Sequence, residues 1–333
     1  MAEQALLIPA VVGPTASGKT ALSIALCRRL EGEILCCDSM QIYRKMDIGT
    51  AKPTKEERAA VPHHLCDFLD PGTPYSAADY AADAARAVRE VTARGRIPVF
   101  CGGTGLYLAA ARRGEVNEEI PGATAHRARL EAIARSEGGT AELYRQLREH
   151  DPESAAATHE NNVRRVIRAL EVFYATGIPK SEWDRRSREK EPALHILPFA
   201  LRYDREKLYA RIEARVDAMI AEGLLHEVRS LYEEGLLSPS STAAQAIGYK
   251  EFAAHLRGEY SLEEAVLNLK TATRRYAKRQ LTWFAADPSV LWLDAEDAQG
   301  RPRGVEEITE QIIAVYREKG GKIIHEGVYH EAE

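Results

Sequence analysis

The segment 6-LLIPAVVGPTASGKTALSIALCRRL-30 decides the fold of this chain. Its first part, over 6–13, is a short apolar run typical of a buried parallel strand. Over 20–30, apolar residues recur with a helical period. The octapeptide between them, 13-GPTASGKT-20, fits the phosphate-loop pattern G-x-x-x-x-G-K-[ST] in the expected strand-to-helix context. The segment therefore predicts an α/β fold that contains a phosphate-binding strand–loop–helix unit.

The chemistry of a bound phosphate explains the spacing of this octapeptide. Its glycines let backbone N–H groups curl around phosphate oxygens, and the helix N-terminus adds its dipole. Lys19 supplies a positive charge, and the Thr20 hydroxyl is a candidate ligand for Mg²⁺. We expect a diphosphate or triphosphate to be bound by the whole loop: Gly13, Pro14, Thr15, Ala16, Ser17, Gly18, Lys19 and Thr20. The pattern does not indicate whether ATP is cleaved.

Four more apolar runs extend this unit into a parallel sheet. They lie at 33–37, 97–103, 196–203 and 290–294, and most are separated from one another by helical patterns. Strands that alternate with helices are typical of an open α/β sheet with both faces covered. The predicted fold class is therefore α/β.

Polar residues follow two of these predicted strands. Asp38 comes directly after 33–37, and 102-GGTGLY-107 follows the next strand along the chain. Because ligands bind outside the carboxyl ends of parallel strands, we expect Asp38 to face the same crevice as Lys19. Its position alone fits a Mg²⁺ ligand, a proton acceptor or a cap of the following turn, and all three remain open. The glycines around Thr104 would let backbone and a hydroxyl approach a ligand closely.

Length and composition exclude several classes of protein. The 333 residues exceed what a single core usually supports, so an insertion or a second domain is expected. Hydrophobic residues at 45% and charged residues at 29% exclude a disordered or fibrous chain. A net charge of −5 excludes a uniformly basic protein but not a local basic patch. No apolar run approaches the roughly 18 residues of a membrane span. The five cysteines contain no CxxC pair and indicate reduced thiols.

The domain organisation follows from where the strand–helix alternation stops. Residues 116–188 contain helical patterns without a convincing strand and are rich in arginine. We therefore predict an all-helical insertion there. The segments 1–115 and 189–318 would together form a discontinuous catalytic core, and 319–333 a flexible tail.

A run of basic residues in a predicted helix gives a second chemical signal. The segment 270-KTATRRYAKRQ-280 contains five basic residues and no acid. The four-residue spacings of Arg274 with Lys278 and of Arg275 with Arg279 arrange the charges in a stripe. Such a stripe either binds RNA or is a solvated helix face, and the residues alone leave both open. A second basic group consists of Arg164, Arg165 and Arg168.

Five motifs in order resemble those of the tRNA dimethylallyltransferases, also called isopentenyltransferases. They are GPTASGKT at 13–20, DSMQIYRKMDIGTAKPT at 38–54, CGGTGLY at 101–107, QAIGYKE at 245–251 and TRRYAKRQLTWF at 273–284. The resemblance implies a P-loop kinase-like parallel sheet flanked by helices, with an all-helical insertion domain that contacts tRNA. It also implies transfer of a dimethylallyl group from dimethylallyl diphosphate to the N6 amine of the adenosine immediately 3′ of the anticodon. The implied partners are the tRNA anticodon stem-loop and dimethylallyl diphosphate, with Mg²⁺ as cofactor.

The resemblance also assigns roles to single residues. Asp38 would accept the proton of the amine, Thr104 would lie near the diphosphate and the base, and Arg215 would support the diphosphate. Contacts to tRNA are implied for Asp38, Ser39, Met40, Gln41, Arg127, Arg164, Arg165, Arg168, Gln245, Gly248, Tyr249, Lys250, Arg274, Arg275, Lys278, Arg279 and Gln280. Among these, Tyr249 and Gln245 have side chains suited to stacking on bases and to bonding with base edges.

Two other functions fit the phosphate loop and the fold class. The first is a P-loop small-molecule kinase, in which Asp38 would activate an acceptor hydroxyl. The second is a nucleotide-gated RNA-binding protein without chemistry, for which Asp38 would be dispensable. The basic helix and the insertion favour prenyl transfer, because a kinase of small metabolites needs no tRNA-sized basic surface. We expect the chain to act as a monomer in the cytoplasm, without a membrane partner.

Overall fold

A computed structural model describes residues 6–114, 123–238 and 241–321. Within these ranges, six strands form one parallel sheet in the order β3-β2-β4-β1-β5-β6. The strands are β1 Leu7–Val12, β2 Gly32–Cys36, β3 His63–His64, β4 Ile97–Gly102, β5 His195–Arg202 and β6 Leu291–Asp294. The predicted α/β class and its five strands are confirmed. The sequence gives no signal for β3, because two residues are too few to show a period.

Helices cover both faces of this sheet and form the predicted insertion. The α-helices are α1 Lys19–Leu30, α2 Lys55–Ala60, α3 Ala77–Ala93, α4 Gly105–Arg113, α5 Ala123–Arg135, α6 Gly139–His150, α7 Pro152–Ala156, α8 Val163–Thr176, α9 Lys180–Glu189, α10 Arg205–Glu222, α11 Leu224–Glu233, α12 Tyr249–Leu256, α13 Leu262–Ala285 and α14 Val305–Glu318. A short 3₁₀ helix spans Ala243–Gln245. None of these helices combines the length and apolar character needed to cross a bilayer.

Side chains of β1 alternate between two hydrophobic cores, one on each face of the sheet. Val11 packs on one face with Leu26 of α1 and Ile312 of α14. Ala10 packs on the other face with Leu108 of α4. Because both faces are covered, only the strand ends are open to a ligand.

The loops that carry the predicted chemistry meet at the carboxyl edge of the sheet. The phosphate loop follows β1, Asp38 follows β2, and Thr104 follows β4. Backbone bonds join the last two loops, since Cys37 N donates to Cys101 O at 2.7 Å and Thr104 N donates to Cys37 O at 3.1 Å. The parallel topology thus brings three segments that are distant in sequence to one place.

The chain divides into two compact units. The first consists of Met1–Gly114 and Leu194–Glu333 and holds the sheet. The second, Glu115–Ala193, contains α5 to α9 and has no strand among its described residues. It has a hydrophobic core of its own, in which Leu143 and Leu170 are fully buried. Most of the predicted tail lies beyond the described ranges, as do residues 116–122 of the predicted insertion.

Candidate functional site

A cavity of about 530 Å³ lies at the carboxyl edge of the sheet. Its volume is suitable for a small ligand. The expected site residues that line it are Thr15, Ala16, Gly18, Lys19, Thr20, Asp38, Ser39, Met40, Gln41, Arg215, Gln245, Lys250, Arg279 and Gln280. The expected residues of the same unit that do not line it are Gly13, Pro14, Ser17, Thr104, Gly248, Tyr249, Arg274, Arg275 and Lys278. The phosphate loop, Asp38 and Arg215 therefore surround one cavity.

The phosphate loop is closed by side-chain bonds to its own backbone. Ser17 Oγ and Lys19 Nζ both donate to Pro14 O, at 2.8 Å and 2.6 Å. Gly18 caps α1 with a φ of 85°, a conformation that glycine adopts without strain. Burial, with a smaller contribution from the nearby Arg215, lowers the pKa of Lys19 from 10.5 to about 8, and Asp38 opposes the shift. An arriving phosphate anion would favour the charged form of this lysine.

Two arginines of α10, four residues apart, reach the phosphate loop. Arg215 Nη1 donates to Thr15 Oγ1 at 3.5 Å, and Arg211 Nε donates to Ala16 O at 2.9 Å. Burial lowers the pKa of the Arg215 guanidinium, which nevertheless stays charged. Sequence reasoning missed Arg211, although its four-residue spacing from Arg215 was a usable signal.

Asp38 has one carboxylate oxygen engaged in a turn. Its Oδ1 accepts hydrogen bonds from Met40 N at 2.9 Å and from Gln41 N at 3.4 Å. The turn-capping role left open by the sequence is therefore real. Within the described ranges Oδ2 accepts no hydrogen bond, and the residue lines the cavity. The second oxygen is thus available to take a proton or to bind a cation.

Thr104 connects the loop after β4 with the loop after β2. Its Oγ1 accepts from Ser39 N at 3.0 Å and donates to Ser39 Oγ at 3.4 Å. Tyr276 of α13 also hydrogen-bonds to Thr104, and burial raises the pKa of its phenol. Ser39 and Tyr276 both line the cavity. Thr104 therefore touches two residues of the cavity wall without lining it.

Gln280 was expected to contact tRNA, but the structure buries it between two loops. It is 5% exposed. Its Oε1 accepts from Thr15 N and its Nε2 donates to Gly103 O, both at 2.9 Å. A Cβ at Gly103 would come within 2.1 Å of Nε2, so a side chain there would displace the Gln280 amide. With both amide atoms engaged in this structure, Gln280 positions the phosphate loop, and its expected contact with tRNA stays a prediction.

The expectation that Tyr249 stacks on an anticodon base is wrong. Its ring is fully buried, and its hydroxyl donates to Glu227 Oε1 at 2.6 Å. Burial raises the pKa of this phenol, with the Glu227 carboxylate adding to the shift. Glu227 also accepts from Ile48 N at 2.8 Å, so the pair anchors a loop. The residues on either side of Tyr249 differ in exposure. Lys250 is exposed and lines the cavity, whereas Gly248 is buried and precedes α12 with a φ of 97°.

One charged face of α13 is paired with α10. Lys270 Nζ bonds to Asp217 Oδ1 at 2.6 Å, and Arg274 bonds to Glu213. Arg274 therefore takes part in a helix–helix contact that Lys278 does not share, and its expected contact with tRNA stays a prediction. The sequence could not indicate this, since the acidic partners lie on a separate helix.

The other charged face of α13 is open. Arg275, Lys278 and Arg279 are exposed. No carboxylate pairs with them in the ranges that the structure covers. Arg279 lies 5.6 Å from the centroid of the Tyr276 ring and lines the cavity. This face joins the cavity to an unneutralised basic surface, which suits a polyanion.

Two family models match the sequence. The model described as IPP transferase matches residues 41–287, more than half of the chain, and the model described as isopentenyl transferase matches 6–65. The chain belongs to the IPP transferase family. The resemblance carried by the five motifs is thereby confirmed.

Curated relatives of this family member are described as tRNA dimethylallyltransferases. The relative from Geobacillus thermodenitrificans is 48% identical over 310 residues, which is 93% of this chain and 97% of the relative. The relative from Syntrophobacter fumaroxidans is 49% identical over 290 residues, which is 87% of this chain and 84% of the relative.

Solved structures of the family share the fold. The full-length tRNA isopentenylpyrophosphate transferase from Bacillus halodurans has a TM-score of 0.69 and 42% identity, covering 95% of this chain and 98% of its own. A eukaryotic dimethylallyltransferase described as acting on tRNA has a TM-score of 0.79 and 29% identity, covering 97% of this chain and 82% of its own. The expected P-loop kinase-like architecture is confirmed.

In the helical unit of this family member, two expected tRNA contacts share one buried carboxylate. Glu171 accepts from Arg127 Nη2 at 2.6 Å and from Arg168 Nη1 at 2.9 Å, and its side chain is 5% exposed. The two arginines are about half exposed. Glu171 therefore orients both guanidinium groups while part of each stays in solvent. Arg164 and Arg165 are exposed.

The donor set fits a magnesium ion that is held jointly with a ligand. Thr20 and Asp38 supply a hydroxyl and a carboxylate to the same cavity. No cluster of three or more His, Cys, Asp or Glu side chains suited to a metal occurs among the described residues. Mg²⁺ commonly takes one or two protein oxygens and completes its shell with water and phosphate oxygens. The cofactor remains a prediction, which these residues suit.

Proposed function

We propose that this chain transfers a dimethylallyl group from dimethylallyl diphosphate to the N6 amine of the adenosine immediately 3′ of the anticodon in tRNA, releasing diphosphate. One observation carries the proposal: a single cavity joins a phosphate loop, two partly buried cationic groups and a carboxylate with one oxygen available. The descriptions of the relatives support it as well. The chain is accordingly proposed to be a transferase.

The diphosphate of the donor binds at the phosphate loop. Lys19 exchanges its bond to Pro14 O for the phosphate oxygens, and Arg215 approaches from α10. Departure of diphosphate leaves negative charge on its oxygens. Preorganised cations that face this charge stabilise the transition state more than they stabilise the intact donor, and they therefore lower the barrier. When bound, Mg²⁺ held by Thr20 would supply further positive charge to the same oxygens.

The acceptor step forms one bond and breaks one. The N6 nitrogen bonds to C1 of the dimethylallyl group, while the C1–O bond breaks and its electron pair leaves with the diphosphate. The proton released from N6 goes to the Asp38 carboxylate. General-base catalysis of this kind typically raises the reaction rate by about 10²–10⁴-fold. The base has to leave its stack to reach this carboxylate.

The anticodon stem-loop is held by basic residues outside the cavity. Arg275, Lys278 and Arg279 contact backbone phosphates, because they are exposed and unpaired within the described ranges. In the helical unit, Arg164, Arg165 and the pair oriented by Glu171 contribute to tRNA binding. Phosphate contacts of this kind give affinity without reading sequence. We further propose that the enzyme acts as a cytoplasmic monomer.

A P-loop small-molecule kinase is the competing function. It would share the phosphate loop and would use Asp38 on an acceptor hydroxyl. The open basic face of α13 argues against it, because that face borders the cavity and has no use in binding a small metabolite. Phosphoryl transfer and prenyl transfer also leave different masses on the acceptor.

The proposed reaction is tested by incubating the chain with dimethylallyl diphosphate, Mg²⁺ and an anticodon stem-loop, and then weighing the RNA. We expect the mass to rise by one dimethylallyl group. Asp38→Asn should lower turnover by about 10²–10⁴-fold while RNA affinity is retained, because the amide keeps the turn but cannot take the proton. Near wild-type turnover of Asp38→Asn would reduce Asp38 to a turn cap, and phosphorylation of a small acceptor from ATP would favour the kinase.

A further inference from the structure

Trp283 is an exposed tryptophan beside the cavity. It is 44% exposed, whereas its neighbour Phe284 is 2% exposed. A large aromatic side chain in contact with water is unusual, because burying it is strongly favourable. Leu106 is also exposed, at 48%. The exposed indole combines an apolar ring with an N–H group, a combination that suits contact with a binding partner.

The indole is held in place by the loop that carries Thr104. A Cβ built at Gly105 would lie 2.1 Å from both Cδ1 and Nε1 of Trp283, so the pyrrole edge of the ring covers this glycine. Arg279, one turn earlier on α13, and Gln280 line the cavity. Trp283 is thus a fixed aromatic plate one helical turn from the cavity wall.

The charged residues that precede the indole on its face of α13 are basic. Arg275, Arg279 and Trp283 are spaced four residues apart and share a face of α13. Lys278 is exposed beside them, and these three basic residues have no acidic partner in the described parts of the chain. An exposed aromatic ring beside several basic side chains suits a ligand that is both aromatic and negatively charged. Unpaired nucleotides have that chemistry, since their bases stack and their phosphates are negative.

We propose that Trp283 is a stacking platform for an unpaired nucleobase of the tRNA anticodon loop, adjacent in sequence to the adenosine that is modified. The inference rests on the proposed function. When the target base leaves its stack, the neighbouring base loses an aromatic partner, and the indole replaces it. Stacking of one base on an aromatic side chain is sequence-tolerant, so Trp283 contributes affinity rather than anticodon selectivity.

The test compares Trp283→Leu, which keeps apolar volume without a ring, with Trp283→Phe, which keeps a smaller ring. The control is Leu267→Ala, because Leu267 is 61% exposed nearer the N-terminus of the same helix. The measurements are affinity for the anticodon stem-loop, KM for dimethylallyl diphosphate, and kcat at saturating RNA. We expect Trp283→Leu to weaken RNA affinity by about tenfold to a hundredfold, with the other two constants unchanged. Trp283→Phe should recover most of the affinity, and the control should match the wild type.

A double-mutant cycle isolates the base that is stacked. One change in the cycle is Trp283→Leu in the protein, and the other is an abasic residue next to the target adenosine in the stem-loop. We expect Trp283→Leu and the abasic RNA to be non-additive, the pair losing no more affinity than either change alone. Additive losses, or normal RNA affinity of Trp283→Leu, would overturn the inference. A parallel rise in KM for the donor in both variants would also overturn it, since it would mean that the ring only supports the Thr104 loop. If the wild type forms no prenylated RNA, the proposed function itself fails, whichever way Trp283 behaves.

Discussion

The side-chain amide of Gln280 holds two functional loops together. It bonds to the amide of Thr15 in the phosphate loop and to the carbonyl of Gly103 after β4. Both partners are backbone groups, and leaving such a group buried without a bond costs about 1–3 kcal/mol. The spacing of the two loops is therefore set by a residue of α13, the helix whose open face we assign to tRNA.

Replacing this residue, Gln280→Leu, removes both hydrogen bonds and keeps a side chain of similar volume. We expect the KM for dimethylallyl diphosphate to rise and the free energy of unfolding to fall by about 1–3 kcal/mol per unsatisfied group, because the phosphate loop loses its tie. RNA affinity should stay near that of the wild type. Steady-state kinetics and chemical denaturation measure the two effects. Gln280→Glu is the partial control, since it keeps the acceptor for Thr15 and loses the donor to Gly103. A loss of RNA affinity with normal donor kinetics would restore the direct tRNA contact.

Helix α13 illustrates how one element divides its charges between structure and binding. Lys270 and Arg274 pair with acids of α10, while Arg275 and Lys278 remain open to solvent. Partly exposed ion pairs contribute only about 0–1 kcal/mol each to stability. Phosphate contacts by unpaired cations, in contrast, release counterions and make affinity depend on salt.

The two faces of α13 predict different salt dependences of RNA binding. Arg275→Ala/Lys278→Ala should weaken binding to the stem-loop and reduce the slope of log K against log salt by about 0.7 for each phosphate contact that is lost. Affinity for dimethylallyl diphosphate should not change. Arg274→Ala should leave the slope as it is, because its charge is already committed to Glu213. Titrations over a salt series measure both, and equal flattening by Arg274→Ala would show that its pair with Glu213 opens on RNA.

On the scale of the whole molecule, the chain has separate hydrophobic cores in its two units. Leu26 lies in a core beneath the sheet, and Leu170 lies in the core of the helical unit. Both are fully buried. The phosphate loop and Asp38 belong to the first unit, whereas the arginines oriented by Glu171 belong to the second. The proposed donor site and part of the proposed RNA-binding surface therefore depend on different cores.

Cavity-forming substitutions in the two cores should separate the two binding activities. Leu170→Ala should destabilise the helical unit by about 2–5 kcal/mol and lower RNA affinity, while binding of dimethylallyl diphosphate is retained. Leu26→Ala is the matched control, for which we expect weaker donor binding. Calorimetric unfolding and titration calorimetry with each substrate provide the measurements. A single shared transition that moves equally in both variants would mean that the two units unfold as one.

The sequence alone determined the parts of this protein whose signals are local. Short apolar runs predicted five of the six described strands, because strand burial imposes a pattern on consecutive residues. The phosphate loop was readable because phosphate geometry requires its residues at fixed spacing. Asp38 was readable for a related reason, since the residue after a parallel strand faces the ligand edge.

Only the tertiary structure decided which side of each element these residues use. It buried Tyr249 and Gln280, paired Arg274 with α10, and brought Arg211 to the phosphate loop. It also gave two arginines of the helical unit a shared partner in Glu171. Apart from the local pair of Arg168 with Glu171, each outcome depends on segments far apart in sequence that meet only when the chain packs. A local pattern carries no information about such partners. The sequence therefore predicted the residues that carry the chemistry of the site, but not the residues that hold them in position.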